Sequence, residues 1–130
     1  MIAATLFGIA LAPLFAAIAE VESENGKTSD NVYQLRRIYL DDVGRIYGCH
    51  FSDEVMTDRF SSERVMLTYV EHYGERYHRR TGKLPTVEVL ARIHNGGPDG
   101  WKKPSTIKYW EKIKAVMDAK RVKTESEVAK

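Results

Sequence analysis

Apolar residues recur at intervals of three and four positions along most of this chain, and this spacing restricts its fold more than any other feature. Such spacing is typical of helices that bury one face, whereas half-buried strands alternate apolar and polar residues. No alternating stretch of any length occurs. The sequence therefore predicts a mainly α protein. The predicted helical segments are residues 13–23, 36–47, 61–81, 86–94 and 105–121.

The same spacing predicts which side of each helix turns toward the core. Residues three and four apart lie on one side of a helix, so the apolar ones define the buried surface. For the segment 61–81 we predict a cap at Ser61 or Ser62, since a serine hydroxyl can accept a bond from a free amide at a helix start. The predicted inward residues are Leu14, Phe15, Ile18 and Val21; Ile38, Leu40, Val43 and Ile46; Val65, Met66, Tyr69, Val70 and Tyr73; and Ile107, Trp110, Ile113 and Met117.

Cysteine and histidine content excludes two common ways of stabilising a domain of 130 residues. Cys49 is the only cysteine, so no disulfide forms within the chain and the fold depends on packing. Neighbouring residues such as Cys49 and His50 seldom converge on one ion, and His72 and His78 fall on different helix faces. We therefore predict no metal site and no cofactor.

Charge is unevenly distributed between the two halves of the chain. Residues 1–78 carry 7 Lys/Arg and 12 Asp/Glu, whereas residues 79–130 carry 13 and 6. A basic second half favours anionic partners such as nucleic acid, acidic lipid or cell-wall polymer, although a solvated helix with a Lys-rich tail has the same composition. The basic residues are scattered and form no recognisable binding motif. A nucleic-acid-binding helical domain is therefore an alternative hypothesis, and no nucleic-acid partner is expected.

Glu22 is the first candidate for chemistry, because it falls on the apolar face of its predicted helix. It lies seven positions after Phe15 and four after Ile18, whereas Glu20 and Glu24 point the opposite way. Removal from water favours the neutral form of a carboxyl group, and glycosidases use such a group as general acid. A half-solvated glutamate at a helix end, paired with an arginine, would show the same pattern.

The second candidate is the loop ARIHNGGPDGW at residues 91–101. A polar His94-Asn95 pair is followed by three glycines and a proline within five residues, and Trp101 closes the loop. An ordinary helix exit needs one glycine. A tight turn behind a helix cap is the structural interpretation, and close approach of the backbone to a ligand is the functional one.

Three segments in this order resemble those of lysozyme-like peptidoglycan hydrolases, the soluble lytic transglycosylases and their relatives. The first segment ends in Glu22-Ser23, the second is Asn31-Val32-Tyr33-Gln34, and the third runs from Ala91 to Pro98. The run RIHNGGPDGW followed by STIKYWEKI is also similar to invertebrate-type lysozymes. The resemblance covers roughly residues 13–115, and the third segment is its most specific part.

The resemblance implies a lysozyme-like helical domain with a shortened or absent β-hairpin, since Glu22 and Gln34 are only twelve positions apart. It implies Glu22 as the catalytic acid, with His94 orienting it and Asn95 binding the acetamido or backbone groups of a sugar. The implied substrate-binding residues are Ser23, Gln34, His94, Asn95, Gly96 and Gly97. Further candidates, chosen by position or residue type, are Asp30, Tyr33, Tyr69, Tyr73 and Trp101.

The implied activity is cleavage of β-1,4 glycosidic bonds in peptidoglycan or a related N-acetylated glycan by a monomeric protein. A hydrolase would need a second carboxylate, for which Asp30 is the nearest loop candidate. By resemblance, a lytic transglycosylase needs only Glu22, which acts first as acid and then as base. The alternative is a non-catalytic wall-binding or carbohydrate-binding module on the same scaffold.

The uncharged stretch 1–19 decides how the chain is divided. A membrane span is not expected, because the run barely reaches the length required and contains Gly8 and Pro13. Residues 17–19, Ala-Ile-Ala, look like a signal cleavage site, but the start carries no positive charge. Since cleavage there would remove the helix that carries Glu22, we expect a single domain at 13–121. Residues 1–12 are then a leader remnant or a packed extension, and residues 122–130 are a frayed tail. Because the implied substrate lies outside the cytoplasm, we expect a secreted or cell-envelope protein.

Overall fold

The computed structural model describes residues 4–128, and this part of the chain is mainly helical. The predicted fold class is confirmed. A two-stranded ribbon precedes five α-helices, and short 3₁₀ helices lie in the connections. The strands are β1 Thr5–Leu6 and β2 Ile9–Ala10; the helices are α1 Leu11–Ser23, α2 Arg37–Tyr47, α3 Arg59–Thr81, α4 Val87–Gly96 and α5 Ile107–Val128; the 3₁₀ helices are Asp53–Thr57, Gly100–Lys102 and Pro104–Thr106.

The ribbon β1–β2 packs the start of the described chain against the helices. Thr5 pairs with Ala10 in antiparallel register, and the turn places Phe7 and Gly8 in the left-handed region. The Phe7 ring lies against α3 at Gly74, where a Cβ atom would come within 2.7 Å of that ring. Helix α1 begins at Leu11, two residues before the Pro13 predicted as its start. Residues 4–10 therefore pack against the helices, and residues 1–3 lie outside the described part.

Helix α1 forms the centre of the core. Six of its thirteen residues have no exposed surface, and α1 packs along α5, while α3 packs against α2 and α4. Burial of an apolar side chain contributes about 1.5–3 kcal/mol, so this helix is the main apolar support of the fold. The fully buried residues of α1 are Leu11, Leu14, Phe15, Ala17, Ile18 and Ala19.

Two predicted inward residues are exposed. Ile38 of α2 is 69% exposed, and the adjacent Tyr39 is buried instead, stacked on Tyr69 of α3 at 3.9 Å. Ile107 of α5 is 44% exposed, and Tyr109 takes the buried position. In both helices a tyrosine is buried in place of the expected isoleucine, because the larger ring has more apolar surface to remove from water.

The ends of α3 and α5 also differ from the predictions. The cap of α3 is Asp58, whose carboxylate accepts bonds from the Ser61 amide at 2.9 Å and the Ser61 hydroxyl at 2.5 Å. These bonds lower the pKa of Asp58. The Ser62 hydroxyl is buried and donates to the Val55 carbonyl at 2.8 Å. Helix α5 extends to Val128, so residues 122–128 are helical where a frayed tail was expected.

The connection between α1 and α2 positions the site. Residues 24–36 contain turns and bends, and the described residues there form no strand, in keeping with a shortened or absent hairpin. Glu24 and Asn25 both adopt left-handed conformations, which turn the chain sharply out of α1. Within residues 4–128, no helix is long and apolar enough to cross a membrane.

Candidate active site

A cleft of about 920 Å³ brings the ends of α1, α2 and α4 together. Glu22 reaches it from the last turn of α1, and His94-Asn95 reach it from the last turn of α4, 73 positions away in sequence. Such gathering of polar groups in one concave site is typical of a ligand-binding cleft. The residues lining it are Glu22, Tyr33, Gln34, Leu35, Arg36, Ile38, Tyr39, Asp42, Arg45, Tyr69, Tyr73, His94, Asn95, Gly96, Gly97, Pro98, Lys103, Ser105 and Thr106.

Most of the sequence-predicted site residues meet in this cleft. Three predicted residues do not line it: Ser23, Asp30 and Trp101. The predicted residues that line it are Glu22, Gln34, His94, Asn95, Gly96 and Gly97, together with Tyr33, Tyr69 and Tyr73.

The Glu22 carboxyl group is held in an environment that favours its protonated form. Burial raises its pKa, and the positive charges of Lys112 and Arg36 only partly oppose this effect. Within residues 4–128, the structure records no hydrogen bond or ion pair for this carboxyl group. The group is therefore available to give and take a proton.

Ser23 stabilises the turn after α1. It is 1% exposed, and its hydroxyl lies 2.6 Å from the Val32 carbonyl and 3.3 Å from the Ala19 carbonyl, to which it can donate. The same oxygen accepts a bond from the Gly26 amide at 2.9 Å. The predicted substrate-binding role of Ser23 does not match this placement, because its hydroxyl is already engaged by the backbone.

Gln34 is fixed at the cleft by its own backbone conformation. It lies in the left-handed region, and its side-chain amide donates to the Asn31 carbonyl at 2.7 Å. The Asn31 side chain in turn donates to the Leu35 carbonyl and accepts from the Leu35 amide. These bonds form a compact turn, and Gln34 remains exposed at the cleft surface.

His94 lines the cleft as a neutral ring. Its Nδ1 lies 2.9 Å from the Tyr39 hydroxyl, and burial lowers the pKa of His94 to about 4. The resemblance implied that His94 orients Glu22, but the bond that the structure records for His94 goes to Tyr39. His94 therefore links α4 to α2 and, through Tyr39, to Tyr69 of α3.

The glycines after Asn95 are explained by close packing. A Cβ atom at Gly96 would come within 2.4 Å of the Thr106 side chain, and one at Gly100 within 2.0 Å of the Arg92 carbonyl. Gly97 has φ +94, a conformation that other residues rarely adopt. This tight turn keeps the backbone of Gly96 and Gly97 at the cleft surface, while Asn95 remains exposed.

Asp42 is a cleft carboxylate that the sequence analysis missed. Its two oxygens accept bonds from the Tyr73 hydroxyl at 2.5 Å and from Arg45 at 2.9 Å. Burial and the bond to Asp42 raise the pKa of Tyr73 to about 12, so Tyr73 remains a donor. The available signal was the spacing of Tyr39, Asp42 and Arg45 by three, which places all three near one side of α2.

Asp30 and Trp101 lie away from the cleft lining. Asp30 is exposed in the turn region. Trp101 is partly buried with its ring edge-to-face on Tyr77, the centroids 5.0 Å apart. Three basic residues that were not predicted do line the cleft, namely Arg36, Arg45 and Lys103. Lys103 donates to the Gly96 carbonyl at 2.7 Å and so supports the loop.

Comparison with known proteins identifies the family. A lysozyme of Ostrea edulis is 33% identical over 82 residues, which span 63% of this chain and 56% of that protein. A lysozyme of Meretrix lusoria is 33% identical over 91 residues, 70% of each chain. Invertebrate-type lysozyme 6 of Caenorhabditis elegans is 36% identical over 96 residues, 70% of this chain and 69% of that protein. The chain belongs to the invertebrate-type lysozyme family.

Membership of a lysozyme-like family is thus confirmed, and nothing in the relatives' names extends it to the soluble lytic transglycosylases. No family model matches the chain. The chain spans just over half the length of the Ostrea edulis lysozyme that it matches, and its match to lysozyme 1 of Crassostrea virginica spans 25% of that protein.

Proposed function

We propose that the protein cleaves β-1,4 glycosidic bonds in peptidoglycan or a related N-acetylated glycan, with Glu22 as general acid. The observation that carries this proposal is the position of Glu22 in the cleft, with a raised pKa and no recorded partner in residues 4–128. A carboxyl group with a raised pKa keeps its proton to a higher pH than a free glutamate and can donate it to the leaving oxygen of the glycosidic bond.

The charges around Glu22 suit both halves of such a reaction. The neutral acid gives its proton to the leaving sugar, and the carboxylate left behind lies near the positive charges of Arg36 and Lys112. Glu22 can then act as base in the second half. Water as nucleophile yields a reducing sugar, whereas attack by the sugar's own hydroxyl yields an anhydro sugar.

The cleft also contains groups that suit an N-acetylated glycan. No hydrogen bond from the Asn95 side chain to another residue of 4–128 is recorded, so its exposed amide can pair with an acetamido group. The rings of Tyr69 and Tyr73 pack edge-to-face with centroids 4.9 Å apart, and both residues line the cleft. We further propose that the protein acts as a monomer, outside the cell or in its envelope, where such a substrate lies.

The decisive experiment measures soluble muropeptides released from purified cell wall. The parent protein should release them, and Glu22→Gln should not. Glu20→Gln is the matched control, because Glu20 is an exposed residue of the same helix outside the cleft lining. Mass analysis of the products separates hydrolysis from anhydro-sugar formation. Equal release by the parent and Glu22→Gln would refute the role of Glu22.

The turn-rich residues 24–36 favour a second candidate, a glycan-binding module without catalysis. They form no strand in the described structure, so no hairpin completes a wall of the cleft there. Wall binding by the parent protein, with no product released under any condition, would support this candidate over the enzyme.

A further inference from the structure

Arg36 occupies a special position beside the proposed acid. It immediately precedes α2, its side chain is exposed, and it lines the same cleft as Glu22. Its positive charge acts on Glu22, together with that of Lys112. Lys112 does not line the cleft, so of these two charges only Arg36 can also contact a bound ligand.

The other basic groups of the cleft are already engaged. Arg45 pairs with Asp42 at 2.9 Å, and Lys103 donates to the Gly96 carbonyl at 2.7 Å. For Arg36, by contrast, the structure of residues 4–128 records neither an ion pair nor a side-chain hydrogen bond. A free guanidinium presents a planar set of donors that matches a carboxylate with two parallel bonds.

We propose that Arg36 binds a carboxylate substituent on the sugar held beside Glu22, so that the cleft selects acidic N-acetylated glycans over neutral ones. This inference rests on the proposed function, since it concerns the same cleft and the same class of ligand. The cleft lining supports it. Its charged residues are Glu22, Arg36, Asp42, Arg45 and Lys103, so basic groups outnumber carboxyl groups by three to two, and Asp42 already pairs with Arg45.

The test measures binding in the Glu22→Gln background. There the glycan is not cleaved by this acid, and Arg36 cannot act through the pKa of Glu22. The probes are peptide-free peptidoglycan strands with free lactyl carboxylates, and the same strands after their carboxylates are amidated with methylamine. We expect the native strands to bind about tenfold more tightly, the scale of one charge-assisted interaction.

Adding Arg36→Gln should abolish this preference by weakening only the binding of the native strands. Arg36→Lys should restore part of it, because the charge remains and the paired geometry is lost. Arg79→Gln is the matched control. Arg79 is an exposed arginine of α3 outside the cleft lining, so its removal lowers the net charge equally and should leave the preference intact.

Two results would overturn the inference. The first is equal binding of native and amidated strands when Arg36 is present. The second is an equal loss on both strands with Arg36→Gln, which would show a general effect on the cleft. Muropeptide release by the parent protein is measured separately. Tighter binding of native strands without muropeptide release supports the role of Arg36 and counts against cleavage. Muropeptide release without that binding preference supports cleavage and counts against the role of Arg36.

Discussion

Glu22 and Asp42 are two carboxyl groups in one cleft, and the fold treats them in opposite ways. Asp42 accepts bonds from Tyr73 and Arg45, with one donor for each oxygen. Glu22 has no recorded donor within residues 4–128, and burial raises its pKa. For Glu22, desolvation without donors favours the neutral form of the carboxyl group.

The difference separates a structural acid from a chemical one. Asp42 joins α2 to α3 through Tyr73 and so fixes one wall of the cleft. Glu22 lacks such a fixed partner and can exchange its proton with a ligand. A carboxyl group near a cleft is therefore not a catalytic candidate by position alone, because its hydrogen-bond partners decide whether it is available to a ligand.

The largest expected effect tests the different roles of Glu22 and Asp42 directly. Glu22→Gln should reduce cleavage by about 10²–10⁴-fold, the usual contribution of general acid–base catalysis. Asp42→Asn should reduce it by roughly tenfold or less, since asparagine retains an acceptor for the Tyr73 hydroxyl. Initial rates of wall solubilisation for both variants provide the measurement. A larger loss for Asp42→Asn would reverse the two roles.

The second prediction concerns the pH dependence of stability, with His94 as the desolvated group. The folded pKa is about 4, below the ordinary 6.5. As pH falls through 6.5, the unfolded chain takes up a proton that folded His94 does not. Stability should therefore decrease between pH 6.5 and 4, by up to about 3 kcal/mol.

Urea unfolding of the parent and of His94→Asn across this pH range measures the effect. The variant should show a smaller decrease, because the desolvated imidazole is absent. His78→Asn is the control, since His78 is exposed on α3. Glu22 affects the pH dependence of stability in the opposite direction. Its raised pKa means that the folded state loses stability as pH rises and the partly buried carboxyl group ionises. An unchanged slope in His94→Asn would contradict the assignment to His94.

A smaller effect, on the free energy of unfolding, is expected from substitution of Asp42. Asp42→Asn should lower the free energy of unfolding at pH 7 by about 1 kcal/mol, since the charged bond from Arg45 is weakened in a partly buried site. Glu22→Gln should leave stability unchanged or raise it, because it removes a carboxylate that burial disfavours. Chemical denaturation of the two variants gives the comparison. Equal destabilisation would break the contrast between them.

The smallest expected effect concerns the side-chain amides of Gln34 and Asn95, of which one is bonded and one is free of recorded bonds within residues 4–128. The Gln34 amide is bonded to the Asn31 backbone, whereas the described structure records no bond for the exposed Asn95 side chain. Asn95→Ala should therefore weaken glycan binding several-fold, about 1 kcal/mol, with little change in stability. Titration of N-acetylated glycan strands measures the first quantity and thermal unfolding the second. A loss of stability with unchanged binding would make Asn95 a structural turn residue.

Family resemblance and helical spacing predicted much of the fold and part of the cleft. The spacing around Phe15 and Ile18 placed Glu22 on the inner side of α1, and the order of the three segments placed Gln34 and His94 in the same cleft. Spacing was less successful where two apolar residues competed, as with Ile38 and Tyr39. It reports which positions are apolar and leaves open which of them meets a neighbouring helix.

The sequence by itself determined the helical segments, the tight glycine turn after Asn95 and the candidate acid, because these depend on local spacing, backbone conformation or the order of motifs. Tertiary structure alone decided the partners. It directed the Ser23 hydroxyl to backbone groups, paired Asp42 with Tyr73 from another helix, and left Arg36 free beside Glu22. Whether a polar side chain is engaged or available depends on groups brought near it by packing, and a pattern within one segment contains no information about those groups.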